Sequence, residues 1–391
     1  MNKITSFKAV LIAGIALLTM SSAFADIKIG LSGPLSGPAA ADGQEYIDGF
    51  NLGLEERGGK LGGQNVTVIQ GDDQLKPEVG SQVIRKFIEL DKVDAIIGLG
   101  YSNVLMANLR RLKESGIVSI AIAAGPSPMA GAECGANVFS VAYPNDGSGE
   151  AIGKLMQDKG YKNVYMMAPN YQAGKDMLTG FKRYYKGGVA AEVYTQINQT
   201  DYSAEITQLE ATKIDAIFMF YPGGMGVNFT KQLSQAGIIG KIPVYSTFTV
   251  DGTNLPALRD AALGVITGNS WNVSIVNPEN QKFVKSFEAK YHRLPSTYAA
   301  NAYDVAALLD FSLRKIKGDT SNKAAFAAAV HASGAEFKSV RGPFRFNTNN
   351  MPIENYYAFE IVKDGGQYKG KLIATPLTEH KDAYYAACPL K

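Results

Sequence analysis

From residue 26 onward the chain alternates short apolar runs with stretches of helical spacing, and the alternation stops and restarts once. That pattern limits the fold to parallel sheets covered by helices on both faces. Asp26 to Ser32 reads as a strand, closed by the turn Gly33-Pro-Leu-Ser-Gly-Pro38. Gln44 to Arg57 then has helical spacing, with Tyr46, Ile47, Phe50 and Leu54 on one face, and Gly58-Gly59 stops it. Val66–Gln70, Val93–Ile97 and Val118–Ala123 read as strands, with helices over Glu78–Leu90 and Asn103–Ser115.

After Tyr143-Pro144-Asn145 the series begins again. Helices are expected at Glu150–Lys159, Gly174–Tyr185, Ser203–Thr212 and Gly226–Ala236. Strands are expected at Asn163–Ala168, Ala191–Thr195, Asp215–Tyr221 and Val244–Thr247. Three further helices follow, at Pro278–His292, Asn301–Lys317 and Ala324–His331. The last third turns β-rich, at Gly342–Asn347, Tyr356–Val362 and Tyr368–Ala374. The expectation is an α/β protein of two Rossmann-like lobes joined by hinge strands. The first lobe takes residues 26–143 plus 273–348, and the second 144–272 plus 349–391. A ligand then belongs in the crevice at the carboxyl ends of the strands.

Residues 1–25 have the layout of an export signal. Lys3 and Lys8 precede an apolar run from Ala9 to Met20, which ends in Ser22-Ala23-Phe24-Ala25. A membrane anchor is the competing reading, but a spanning helix needs about 20 apolar residues. Removal would place the mature chain in the periplasm. The formal charge is +3, and loss of Lys3 and Lys8 takes the side chains close to neutrality. Such a chain has no general attraction to nucleic acid or anionic membrane. Cys134 and Cys388 are the two cysteines, and an exported pair is expected to be a disulfide, two buried thiols being the alternative.

Catalytic sets are missing from the sequence. His292, His331 and His380 stand far apart and read as surface residues. No nucleophile elbow or phosphate loop occurs, and no metal or cofactor is expected. Asp72-Asp73 reads as a pair of solvated loop carboxylates. Gly223-Gly224-Met225-Gly226 is either a helix start offering amides to an anion or a tight turn. Polar and aromatic residues instead gather just after the strands. Tyr101, Ser102, Asn103, Ala124, Gly125 and Ser127 do so in the first lobe. Tyr171, Tyr221, Gly224, Phe248 and Thr249 do so in the second. Hydroxyls and helix amides suit a carboxylate, and aromatic rings an apolar body.

The chain resembles the type I periplasmic solute-binding proteins of ABC importers, in the leucine/isoleucine/valine-binding family. The residues that carry the resemblance include Ile27 to Gly37, Gly49-Phe50, Gly62-Gly63 and Ala95 to Gly98. Asp201-Tyr202-Ser203 and Tyr298 to Asp304 complete the set. The resemblance implies a clamshell that captures a small molecule for a membrane permease, works as a monomer and catalyses nothing. It implies Ser102 and Ser127 as carboxylate ligands and Tyr171 and Tyr221 as second-lobe contacts. The family's acid opposite the ligand ammonium falls at Phe248, with Asp251 three residues on. An ammonium without an acceptor is costly to bury, so a carboxylate with no ammonium is expected, and resemblance to the subgroup that takes up aromatic carboxylates implies a benzoate-, hydroxybenzoate- or phenylpropenoate-like acid. The Cys134/Cys388 pair and Phe220 to Gly224 resemble that aromatic-acid subgroup. A branched-chain amino acid or amide is the alternative, and a ligand-sensing clamshell of a signalling system a second.

Overall fold

A computed structural model describes residues 26–390, so the reading of residues 1–25 lies outside the described residues. The first sheet takes β1 (Ile27–Gly33), β2 (Lys60–Leu61), β3 (Gln64–Asp72), β4 (Ala95–Gly98), β5 (Val118–Ala121) and β6 (Val138–Ser140). Their order is β2-β3-β1-β4-β5-β6, parallel apart from the β2–β3 pair. Helices α1 (Ala40–Glu55), α2 (Pro77–Lys86), α3 (Ser102–Ser115) and the short α4 (Ser127–Ala130) connect them. β4 is buried at every position, as expected for a parallel strand covered on both faces.

The second sheet collects β7 (Asn163–Pro169), β8 (Gly188–Thr195), β9 (Ala216–Phe220), β10 (Val244–Thr247) and β11 (Ile266–Asn269). Helices α5 (Gly147–Asp158), α6 (Gln172–Tyr184), α7 (Ser203–Glu210), α8 (Gly224–Gln235) and α9 (Leu255–Leu258) alternate with these strands. The chain then returns to the first sheet with α10 (Pro278–Tyr291), α11 (Thr297–Lys315) and α12 (Lys323–Ser333). Gly49 lets α1 and α11 meet at the backbone, since a Cβ there would lie 2.1 Å from the Ala299 carbonyl oxygen. The last strands, β12 (Arg345–Phe346), β13 (Pro352–Asp364) and β14 (Gln367–His380), extend the second sheet: β13 pairs antiparallel with β11, and β12 and β14 each pair antiparallel with β13. This is the two-lobed α/β architecture that the alternation predicts.

Three segments cross between the lobes, near Pro144, near Trp271 and near Met351. A buried ion network ties the first and the last of them to α11. The Arg341 guanidinium donates to Asp304 of α11 at 3.2 Å, to Glu354 of β13 at 2.9 Å and to the Ala142 carbonyl at 3.0 Å. The charges of Asp304 and Glu354 are tolerated so deep because that one cation lies between them. Beyond β14 the chain crosses back. Tyr384 and Ala387 pack on Gly131, and Cys388 is joined to Cys134 in a disulfide. The disulfide expected from the cysteine count is therefore present.

Some local expectations change. The strand expected over Gly342–Asn347 is only the two residues of β12. Ser339 and Gly342 form an isolated bridge, and the Arg341 side chain is drawn into the ion network. The helix expected to reach Leu90 leaves α geometry after Lys86, and one wider turn runs from Phe87 to Asp91. β6 and β11, at three and four residues, are too short for periodicity to show. Asp73 is not solvated. It is buried under Ser32 and the Leu75 amide, and burial pushes its carboxyl up to about 6. His380 is not a free surface residue either, because its ring contacts the buried Glu150.

Candidate functional site

A small cavity of about 20 Å³ lies where the carboxyl ends of the two sheets face each other. Six aromatic rings wall it: Tyr46, Tyr101, Tyr143, Tyr171, Phe220 and Tyr298. None of its lining residues is an acid or base that is charged at neutral pH, and burial pushes the tyrosine hydroxyls further up still. The lobes stand closed around it. Ser127 of the first lobe donates its amide and hydroxyl to Asp176 of α6, at 3.1 and 2.7 Å. Gly224, at the head of α8, lies against the Pro38 carbonyl. A solute enters only when the lobes part.

The polar end of the cavity is the N-terminus of α3. Gly100, Tyr101 and Ser102 line it there. Asn145 donates to Ser102 Oγ at 3.0 Å, which leaves the Ser102 proton free for an acceptor. The Tyr46 hydroxyl is buried with no partner. It presses on the backbone of Gly100, where a Cβ would come within 2.0 Å of its oxygen. Two unspent hydroxyl donors therefore sit beside the positive end of a helix of 14 residues.

Two carboxylates lie behind the cavity, and neither lines it. Asp42 is buried beside Tyr101, which donates to it at 2.6 Å, and burial pushes its carboxyl up to about 8. Asp176 also accepts from Asn145 at 3.0 Å and from Gln172 at 2.9 Å.

Of the residues expected to bind a ligand, Tyr101, Ser102 and Tyr171 line the cavity. Ser127 is occupied by Asp176. Asn103 is turned to the Leu75 carbonyl. Ala124 and Gly125 lie under the first crossover, where the Gly125 amide donates to Asn145. Tyr221 points into the second-lobe core between Tyr202 and Phe229, and its neighbour Phe220 faces the cavity instead. Thr249 is also internal, accepting from the Tyr221 amide at 2.7 Å. Gly224 stands at the rim. Phe248 backs the wall, stacked on Tyr143 at 4.3 Å, with φ at +50°. Leu99, just ahead of the α3 turn, has a similar left-handed backbone at +49°. Two such bulky residues at facing strand ends mark local strain held by the surrounding fold. Tyr46, Tyr143, Asn145, Phe220 and Tyr298 are the lining residues that sequence reasoning missed.

Residues 26–367 match the family model described as periplasmic binding protein. The chain belongs to that family. Among curated relatives, it is 26% identical to the Leu/Ile/Val-binding protein homolog 6 of Brucella melitensis. That match covers 92% of this chain and 94% of the relative. Among solved structures, a solute-binding protein of an ABC transporter from R. palustris in complex with benzoate is similar over 94% of this chain and all of its own. The two share 30% identity, with a TM-score of 0.88. A second, from Rhodopseudomonas palustris BisB5 in complex with 3,4-dihydroxybenzoic acid, shares 25% identity and a TM-score of 0.85, over 92% of this chain and 99% of that one. The family and these neighbours are binding proteins. No helix among the described residues is long and apolar enough to cross a membrane.

Proposed function

We propose that this periplasmic binding protein is the solute-capturing component of an ABC importer, and that its solute is an aromatic carboxylate of the benzoate or hydroxybenzoate type. The observation that carries the reading is the pairing of six aromatic walls with two unspent hydroxyl donors at the α3 N-terminus. The tyrosine and phenylalanine faces suit an aromatic ring in offset or edge contact, and to hold one the walls, which here enclose about 20 Å³, must close less tightly than they do. The carboxylate takes hydrogen bonds from Tyr46, Ser102 and the α3 amides. A zwitterionic amino acid also needs an anionic partner for its ammonium; Asp176 is committed to Ser127, and Asp42, behind Tyr101, has a carboxyl that burial pushes up to about 8. The argument therefore rests on the cavity lining and no longer on Phe248. The benzoate and dihydroxybenzoate complexes of the solved relatives support it; the names of the curated relatives favour leucine, isoleucine or valine.

Closure follows from the same contacts. Solute bridging both lobes favours the closed state, which is the form a permease would receive. Export to the periplasm and a monomeric state belong to this proposal. Tyr46→Phe and Ser102→Ala test it. Each deletes one donor to the carboxylate and is expected to weaken benzoate binding about tenfold. Unchanged benzoate affinity in both variants would remove the carboxylate from this end of the cavity.

A further inference from the structure

The closed lobes shut a carboxyl of the first lobe under the backbone of the second. Asp42 lies in the first turn of α1, and among the described residues its one hydrogen bond comes from the Tyr101 hydroxyl. Its other oxygen, Oδ1, is buried with no partner. The turn that heads α8 is the lid. A Cβ on Gly223 would stand 3.2 Å from Asp42 Oδ2, and one on Gly224 would stand 2.9 Å from the Pro38 carbonyl oxygen.

A second acid arrives from the opposite lobe. Asp251 follows β10, and a Cβ on its neighbour Gly252 would stand 2.7 Å from the Pro295 carbonyl oxygen of the first lobe. Its Oδ1 accepts from the Thr253 and Asn254 amides at 2.9 and 3.3 Å, and its buried Oδ2 has no partner. Arg293 is spent on Glu45 and Asp48 of α1, and among the described residues no cation pairs with Asp42 or Asp251. Glu45 is held by Ser296 and Arg293 of its own lobe, so lobe motion leaves it in place. The remaining titratable groups around Asp42 are neutral tyrosines: Tyr46 of α1, Tyr143 of the first crossover, Tyr171 of α6 and Tyr298 of α11.

A carboxylate closed off from water with one hydrogen bond and no counter-charge costs far more than the neutral acid. When the lobes part, the lids withdraw and both carboxyls meet water. Burial pushes the Asp42 carboxyl up to about 8, with the Tyr101 hydrogen bond opposing and the Asp251 and Glu45 charges adding to it. Burial likewise pushes Asp251 up to about 7.

We propose that closure over a solute takes up a proton, held chiefly by Asp42, so that capture is coupled to pH. The inference rests on the solute-driven closure of the proposed function, and not on which solute drives it. A group more basic in the closed state favours closure while protonated. Solute affinity is therefore highest in acid and falls, by up to about tenfold per pH unit, from the ordinary carboxylate value of about 3.9 to the closed-state value of about 8.

Calorimetric titration of the full mature protein with benzoate, and separately with leucine, in buffers of small and large ionisation enthalpy counts the protons taken up per solute bound. At about pH 7 neither solute changes its own charge, and the expected count is about one. Asp42→Asn is expected to cut the count by half or more and to flatten the fall of affinity with pH. Tyr101→Phe removes the one hydrogen bond that favours the ion, so its uptake should extend to higher pH. No uptake by the wild-type protein would overturn the proposal, by leaving Asp42 an anion under the positive end of α8. An unchanged count in Asp42→Asn, or an unshifted pH window in Tyr101→Phe, would also overturn it. Binding of leucine alone would remove the aromatic reading while the proton count is still read from leucine. If neither solute binds even at about pH 5, where the proton favours closure strongly, both readings fall.

Discussion

Replacing Asp176 by Ala removes the latch between the lobes. Asp176 accepts four hydrogen bonds, and two of them, from the Ser127 amide and hydroxyl, cross the cleft. Hydrogen bonds to a charged group contribute about 1.5–3 kcal/mol each. In the open state water satisfies the same groups, so one such bond is a fair net value for the closed state. A loss of about 1.5–3 kcal/mol on closure lowers apparent solute affinity roughly 10- to 100-fold, because solute binds the closed population. Calorimetric titration with benzoate measures this. Ser127→Ala should reproduce much of the loss, and the double variant should fall short of the sum, since both remove one interaction. Unchanged or tighter binding in Asp176→Ala would refute the reasoning. It would mean that the carboxylate repels the solute's own charge more than it fastens the lobes.

Three other consequences concern stability. Arg341→Ala leaves Asp304 and Glu354 buried without their cation and is expected to cost about 3–5 kcal/mol, read from urea denaturation; a loss under 1 kcal/mol would contradict the ion network's role. Reducing the Cys134–Cys388 bond, which spans 254 residues, is expected to cost about 2–5 kcal/mol, with two thiols titrating only after reduction. Asp42 has its pKa raised to about 8, so its stabilising contribution is complete below its unfolded value, about 3.9, and is lost as pH rises through 8. Asp251 and Glu354, each raised to about 7, act in the same direction. Unfolding free energy should therefore fall from about pH 5 to about pH 8, and Asp42→Asn should flatten that fall; an identical slope in the variant would clear Asp42 of the effect.

The lobes were legible because strand and helix periods alternate over long stretches, as from β7 through α8. The cavity was only half legible, and particular residues show why. β9 reads Ala-Ile-Phe-Met-Phe and is buried throughout, so no polar face fixes which neighbour points at the cleft. Phe220 faces the cavity and Tyr221 the core, a choice that the run itself does not reveal. Tyr46 sits on the apolar stripe of α1 and reads as core, yet its buried ring walls the cavity and packs with its hydroxyl against Gly100. Asp176 carries no local signal, because its role is set by Ser127 from the other lobe. The acid sought near Phe248 had a partial echo, since Asp251 is buried nearby, but it does not line the aromatic cavity.

The central claim is the chemistry of the solute. Isothermal titration of the mature protein, unfolded and refolded to strip bound molecules, with benzoate, 4-hydroxybenzoate and leucine tests it directly. The account predicts saturable binding of at least one aromatic acid and none of leucine. Binding of leucine with no response to either aromatic acid would contradict it and return the cavity to an amino-acid reading.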